Sequence, residues 1–321
     1  MSSWRSLLCL AGVFGVCNGA IAQGYPAKPV RMIVGFAPGG GTDITARVIV
    51  QPLSDGLGQR VVVDNRPGAN GVIGTDVAAK SPPDGYTILM VNSGHTVNPG
   101  MYGKLPYDSI RDFAPISLVA TISNLLVIHP SLPVKTFPEF VLLARQRPGS
   151  INYGSGGHGA SSHLAVELLK RAAKIDLVHV PYKSGGLSAA ALLAGEVAVS
   201  FNTIPSALSY VKAGRLRAIG ISSVKRSLAV PDVPPIAEMG YPGFEASGLA
   251  GLMAPAGTPT EIIERLHTET VKLLKRPEVM ERFVTLGLDP VGNRPDEFAQ
   301  FIKADTEKWT RLVRDLNITA Q

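Results

Sequence analysis

Twice in this chain an apolar strand runs into a glycine-rich turn that opens a helix, and this repetition constrains the fold more than any other feature. In the first copy the strand spans Val30 to Phe36, the turn is Pro38-Gly39-Gly40-Gly41-Thr42-Asp43, and the helix follows through Ile44, Ala46, Val48, Ile49 and Leu53. In the second the strand spans Ile151 to Tyr153, the turn is Gly154-Ser155-Gly156-Gly157-His158-Gly159, and the helix runs through Leu164, Val166, Leu168 and Leu169. Alternation of apolar strands with helices implies an α/β architecture whose sheets are parallel and covered on both faces.

Further strands are expected at Arg60 to Asp64, Tyr86 to Val91 and Phe113 to Ala120 in the first half, with a helix at Val72 to Ala79. The second half continues with strands at Leu177 to Pro181, Val197 to Asn202 and Arg217 to Ser222, and helices around Leu187 to Leu193 and Ala207 to Val211. A chain of 321 residues can bury two such cores. After an apolar segment, Gly248 to Pro255, the chain turns helical, with Phe298, Phe301, Ile302, Trp309, Leu312, Val313 and Leu316 in a stripe that must be covered; Trp309 reads as core. These helices are expected to return to the first lobe with Gly248 to Pro255 as a strand. The lobes then comprise residues 23–123 with 248–321, and 124–247, joined by a two-crossing hinge.

Residues 1–22 read as a cleaved secretion signal, which places the mature protein in the periplasm. Arg5 precedes the apolar run Leu7-Leu8-Cys9-Leu10-Ala11-Gly12-Val13-Phe14, and Ala20-Ile21-Ala22 has the small residues of a cleavage site. The run is too short for a membrane anchor, and Val16 before Cys17 argues against a lipoprotein. Cys9 and Cys17 both fall in this segment, so the mature chain is expected to hold neither a disulfide nor a thiolate metal site. The 31 basic against 25 acidic residues are spread along the chain. That weakly favours an anionic ligand and gives no case for nucleic acid.

Helix amino termini at the carboxyl ends of parallel strands offer free N–H groups and partial positive charge. Both turns belong to such places. Gly39, Gly40 and Gly41 can point backbone donors at an anion. Thr42 or Asp43 can cap the following helix, and for Asp43 capping is favoured, because a carboxylate repels a bound anion. In the second turn Ser155, His158, Ser161, Ser162 and His163 are donors suited to a carboxylate. Alternatively Ser161 and Ser162 cap the helix while His163 packs on it.

Gly154, Gly156 and Gly159 also satisfy G-x-G-x-x-G, the dinucleotide fingerprint. The acid that should follow at the end of the next strand is missing, since that end reads His179-Val180-Pro181-Tyr182-Lys183. No lysine follows Gly40 or Gly41 as in a P-loop, and neither G-x-S-x-G nor H-E-x-x-H occurs. His129, His179 and His267 look like packing or surface residues. No enzyme activity, cofactor or metal is expected, and a nucleotide-dependent enzyme is the weaker alternative.

The chain resembles the Bug family, the TctC-like extracytoplasmic substrate-binding receptors of tripartite tricarboxylate transporters. The resemblance rests on the first turn together with Tyr25-Pro26-Ala27-Lys28-Pro29, Asp64-Asn65-Arg66-Pro67-Gly68, Pro83-Asp84-Gly85-Tyr86-Thr87, Lys104-Leu105-Pro106-Tyr107-Asp108, His179-Val180-Pro181-Tyr182-Lys183, Pro205-Ser206-Ala207-Leu208 and Ala254-Pro255-Ala256-Gly257-Thr258-Pro259. It implies a type II periplasmic-binding-protein fold, two Rossmann-like lobes closing on a ligand carboxylate. Carried over by position, ligand contacts fall on Phe36, Pro38, Gly39, Gly40, Thr42, Asp43 and Ser93 in the first lobe. In the second they fall on Ser155, Gly157, His158, Gly159, Ser161, His163, Tyr182 and Asn202.

This chain has His158 where the family often has Asn, Ala160 where Thr is common, and Asn202 where Asp is frequent. The last change removes a partner for an ammonium group, which favours a di- or tricarboxylate or an aromatic acid over an amino acid. The implied protein is a monomer that hands its ligand to membrane transporter subunits; a sensor docking on a membrane signalling protein is the alternative.

Overall fold

A computed structural model describes residues 24–316 and 318; residues 1–22, read from the sequence as a secretion signal, and both cysteines lie outside them. The chain opens with β1 (Val30–Val34), α1 (Gly41–Leu57), β2 (Val61–Asn65), α2 (Val72–Ala79), β3 (Thr87–Asn92), α3 (Ser93–Met101) and β4 (Phe113–Ile122). It crosses at Ser123 into β5 (Asn124–Ile128), α4 (Phe137–Gln146), β6 (Asn152–Ser155), α5 (Ser161–Ala173), β7 (Val178–Pro181), α6 (Gly185–Ala194), β8 (Val199–Thr203), α7 (Ile204–Lys212) and β9 (Arg217–Ile221). It then returns through β10 (Gly248–Pro255), α8 (Thr260–Leu274), α9 (Pro277–Leu286), β11 (Leu288–Pro290) and α10 (Pro295–Asp315).

Two sheets result, ordered β11-β4-β10-β3-β1-β2 and β7-β6-β8-β5-β9. The expectation of wholly parallel sheets is corrected here. β1 is parallel to β2 and β3, and β6 to β7 and β8, but β10 and β5 each run antiparallel to both neighbours. β11, at the sheet edge, is antiparallel to β4 as well. β10 and β5 are the strands that arrive from the other lobe. They enter where the parallel strands finish, Asn124 beside Thr203 and Gly248 beside Ile122, so they must run the opposite way.

Each sheet is buried on both faces. In the first lobe α1, α8 and α9 cover one side through Ile49, Leu53, Leu266 and Phe283, and the start of α10 covers the other through Phe298 and Ile302. The far end of α10 behaves differently: Trp309 and Val313 share a core with Tyr153, Leu164 and Phe201 of the second lobe, as do Val97 and Met101 of α3. Trp309 is core, as its stripe implied, but in a cluster that spans both lobes.

The two crossings are bonded to each other. Asn124 donates its backbone N–H to Ser222 Oγ at 2.9 Å and its side-chain amide to the Ala246 carbonyl at 2.8 Å. The hinge is thus one hydrogen-bonded unit in which a rotation at one crossing is felt at the other.

β10 has no room between its sheet and α10. A Cβ on Gly251 would collide with the ring of Phe298, itself fully buried. Gly251→Ala is expected to destabilise the protein by about 1–3 kcal/mol, the usual cost of overpacking, measured by urea unfolding.

Candidate ligand-binding cleft

Five helix amino termini meet between the lobes. An inner cavity of about 60 Å³ is walled by Gly40, Gly41 and Thr42 at the start of α1, Asn92 and Ser93 at α3, Gly156, Ala160, Ser161 and Ser162 at α5, Ser184 and Gly185 at α6, and Thr203 before α7. Ile122, Gly248 and Leu249 close its hinge side. Each helix follows a strand, so all five starts lie at the cleft ends of the sheets. The volume suits a carboxylate with a few ordered waters, a water needing roughly 10–15 Å³ on this measure.

Three of these starts, those of α1, α5 and α7, have no side-chain cap. Their N-cap residues are Gly40, Ala160 and Thr203; in α1 and α5 the first-turn N–H groups stay available to an anion, which the helix dipoles also favour, whereas in α7 Ile204 N–H donates to the Ser123 carbonyl at 3.0 Å and Pro205 has no N–H. The capping alternatives are overturned. Ser161 turns its hydroxyl to Asn124 Oδ1 at 3.4 Å, and Ser162 Oγ accepts the Gly156 N–H at 2.9 Å, bracing the turn.

Asp43 also works from behind its turn. It is buried, and its carboxylate accepts hydrogen bonds from Gly39 N–H at 3.0 Å, Arg47 Nε at 2.9 Å and Asn65 Nδ2 at 3.0 Å. Burial alone would raise its pKa; these bonds and the Arg47 charge outweigh it and hold the group below the usual carboxylate range. In the second turn Ser155, fully buried, accepts the Gly157 N–H at 3.1 Å and pairs with His179 Nε2 at 2.6 Å. His163 Nδ1 accepts the Gly159 N–H at 3.1 Å.

An outer chamber of about 500 Å³ adjoins the inner one, with Phe36 and Gly156 in the walls of both. Gly157, His158, Tyr182 and Lys183 form its second-lobe side, and Gly68 to Gly71 with Tyr102 its first-lobe side. Among the described residues, no aspartate or glutamate lines either cavity.

Of the residues anticipated from sequence, Phe36, Gly40, Thr42, Ser93, Ser161, Gly157, His158 and Tyr182 border these spaces. Seven do not. Pro38 is exposed at the rim. The Gly39 carbonyl lies against Gly186 of the other lobe, and Gly159 against Met101 and Asn70. Asp43, Ser155 and His163 hold turns from behind, and Asn202 is buried with Nδ2 donating to Ser200 Oγ at 2.9 Å. The sequence reading missed Ser184-Gly185, although it repeats the strand, small-residue turn and helix pattern; Tyr102 and Asn70 carried no local sign.

His158, His163 and His179 bring ring nitrogens within 4.8 Å of one another. His163 and His179 form a stack, and His158 stands edge-on to both, with its ring 75° and 76° from theirs. The His163 and His179 rings are 4.1 Å apart and within 9° of parallel, with Tyr153 stacked 4.8 Å beyond His179. Imidazole lone pairs lie in the ring plane, so parallel rings cannot both aim at one ion about 2.0–2.1 Å away.

Residues 45–318 match the family model described as the tripartite tricarboxylate transporter family receptor. The chain belongs to this family. It is 38% identical over 315 residues to protein BugT of Bordetella pertussis (strain Tohama I), covering 96% of this chain and 97% of BugT. Among solved structures it is similar to R. palustris Rpa4515 with adipate, at a TM-score of 0.89 and 33% identity, over 92% of this chain and 99% of that one. It is also similar to MatC of Rhodopseudomonas palustris with bound malate, at a TM-score of 0.84 and 31% identity, over 90% and 100%. The receptor has the two-lobed periplasmic-binding-protein fold, and no helix among its described residues is long and apolar enough to cross a membrane.

The histidine stack makes the receptor sensitive to acid. Burial, followed by the nearby His158 and Lys170, pushes the His163 pKa down from 6.5 to about 3; burial, then His163 and His158, pushes His179 to about 3 as well. The unfolded chain therefore binds more protons than the folded one between about pH 6.5 and about pH 3, and stability falls as pH drops through that window. His163→Phe keeps the stack and removes one proton site. Its melting temperature is expected to be lower at pH 7, where the Gly159 N–H loses its acceptor, and to decline less steeply than wild type between pH 7 and pH 4, as followed by circular dichroism.

Proposed function

We propose that the receptor is exported, loses residues 1–22, and captures a small organic carboxylate in the periplasm for delivery to a tripartite tricarboxylate-type transporter, without altering it chemically. The observation that carries this reading is the convergence of five helix amino termini, three of them uncapped, on a cavity with no acidic side chain. An ammonium group has no carboxylate to meet there, which favours acids without an amino group. The adipate and malate held by the two related structures are acids of that kind.

Capture works by closure. Residues 23–123 with 248–321, and 124–247, rotate about the coupled crossings, and the carboxylate supplies the acceptor that the facing N–H groups lack. A ligand bound by both lobes shifts the hinge equilibrium by its differential affinity for the shut state. In a monomer, that shut surface is what a transporter subunit can distinguish. Among the hydroxyl-bearing residues of the inner wall, we assign Thr42, Ser93 and Ser161 to join the backbone donors.

Closure needs bare backbone where the lobes touch. A Cβ on Gly186 would lie 2.8 Å from the Gly39 carbonyl oxygen, a backbone atom that cannot swing aside. Gly186→Val is expected to fold normally and bind its ligand at least about tenfold more weakly, a loss of roughly 1.4 kcal/mol, by calorimetry. Mass spectrometry of the small molecule released on denaturing the purified receptor tests the reading itself: an unaltered carboxylic acid is expected, and an amino acid or a nucleotide would refute it.

A further inference from the structure

Resting on the closure reading, we infer that α10 is a strap across the back of the hinge, and that bulk placed in the groove beneath it drives the cleft shut. The helix is anchored at both ends. Phe298 and Ile302 lie in the first-lobe core, whereas Trp309 and Val313 lie in the cluster with Tyr153, Leu164 and Phe201 of the second lobe. Between these anchors Asp305 is pinned to α3, its Oδ2 accepting from Thr96 Oγ1 at 2.7 Å.

Under the middle of α10 runs a groove of about 270 Å³, between Ala304 and Asp305 on the helix and Glu245, Ser247 and Leu249 on the second crossing. Gly248 and Leu249 also wall the inner ligand cavity, so one stretch of chain has the cleft on one side and the groove on the other. That stretch touches the cleft directly. Leu249 donates its N–H to Ser93 Oγ at 3.3 Å, and a Cβ on Gly248 would lie 3.3 Å from Ser161 Oγ. Turning the lobes about it therefore widens one space as it narrows the other.

Beyond Glu245 and Lys308 the groove continues into a hollow of about 380 Å³ against Leu168 and Trp309. Protein interiors are otherwise close-packed, so two adjoining hollows behind the hinge give the second-lobe end of the strap room to shift. Bulk that resists narrowing of the groove opposes opening of the cleft, and the two are linked as any pair of coupled sites is.

Nitroxide labels at Lys80→Cys on the first lobe and Lys212→Cys on the second test this, in the chain without residues 1–22, which has no cysteine of its own. Pulsed electron resonance on the ligand-free parent is expected to show two distance populations, open and shut. Ala304→Phe and Ala304→Trp fill the groove and are expected to raise the shut-to-open ratio at least about threefold. Lys303→Phe adds the same ring at an exposed neighbour outside the groove, and is expected to change the ratio less than about 1.5-fold. Circular dichroism establishes that each variant is folded. An unchanged or lower ratio in the folded Ala304 variants overturns the inference and leaves closure in place. An equal rise in Lys303→Phe overturns the role of the groove. A single distance in the parent, insensitive to every substitution, removes closure itself and the inference with it.

Discussion

A helix that begins without a side-chain cap leaves N–H groups seeking an acceptor, and two such beginnings, those of α1 and α5, line one small cavity between the lobes. In open solvent water satisfies them. A cavity of about 60 Å³ holds only a few waters, and each donor left there without a partner costs about 1–3 kcal/mol. An anion fits because the dipoles of α1, α3, α5, α6 and α7 all present their positive ends to the same point.

The turns that carry these donors are rigid because other residues hold them in place. Asp43 grips the Gly39 N–H, Ser162 the Gly156 N–H, Ser155 the Gly157 N–H and His163 the Gly159 N–H. Their polar atoms are engaged by the backbone, so the free donors of the inner cavity are N–H groups and a few hydroxyls. Phe36, Tyr102, His158, Tyr182 and Lys183 line the outer chamber beyond it. His163 and His179 join the two levels: the stack that steadies the turn also makes it dependent on staying uncharged.

Much of this was legible before any coordinates. The segments Val72–Ala79 and Gly248–Pro255 form the helix and strand that their patterns indicated, and both glycine turns sit at strand ends facing the cleft. α3 was not legible, because Ser93-Gly94-His95-Thr96-Val97-Asn98-Pro99-Gly100-Met101 holds two glycines and a proline and has little helical propensity. Packing against α10 and the second-lobe core makes it a helix. β5 lies just past the crossing and runs against its neighbours, a direction that strand composition does not encode. Asp43, Ser155 and His163 flank the turns, at the start of α1, the end of β6 and the start of α5, but whether a side chain points toward the cavity or behind the backbone depends on the turn's conformation.

By itself the sequence determined that there are two strand–turn–helix units with glycine where backbone must come close, because local conformation and apolar periodicity are written in neighbouring residues. It also determined the family, through many short segments in fixed order. Only the tertiary structure decided that five helix starts from two lobes meet at one cavity, that among the described residues no acid lines its walls, and that His163 and His179 stack with His158 edge-on beside them. Those facts depend on how distant segments are oriented in space, and orientation is set by the packing of whole layers around the hinge.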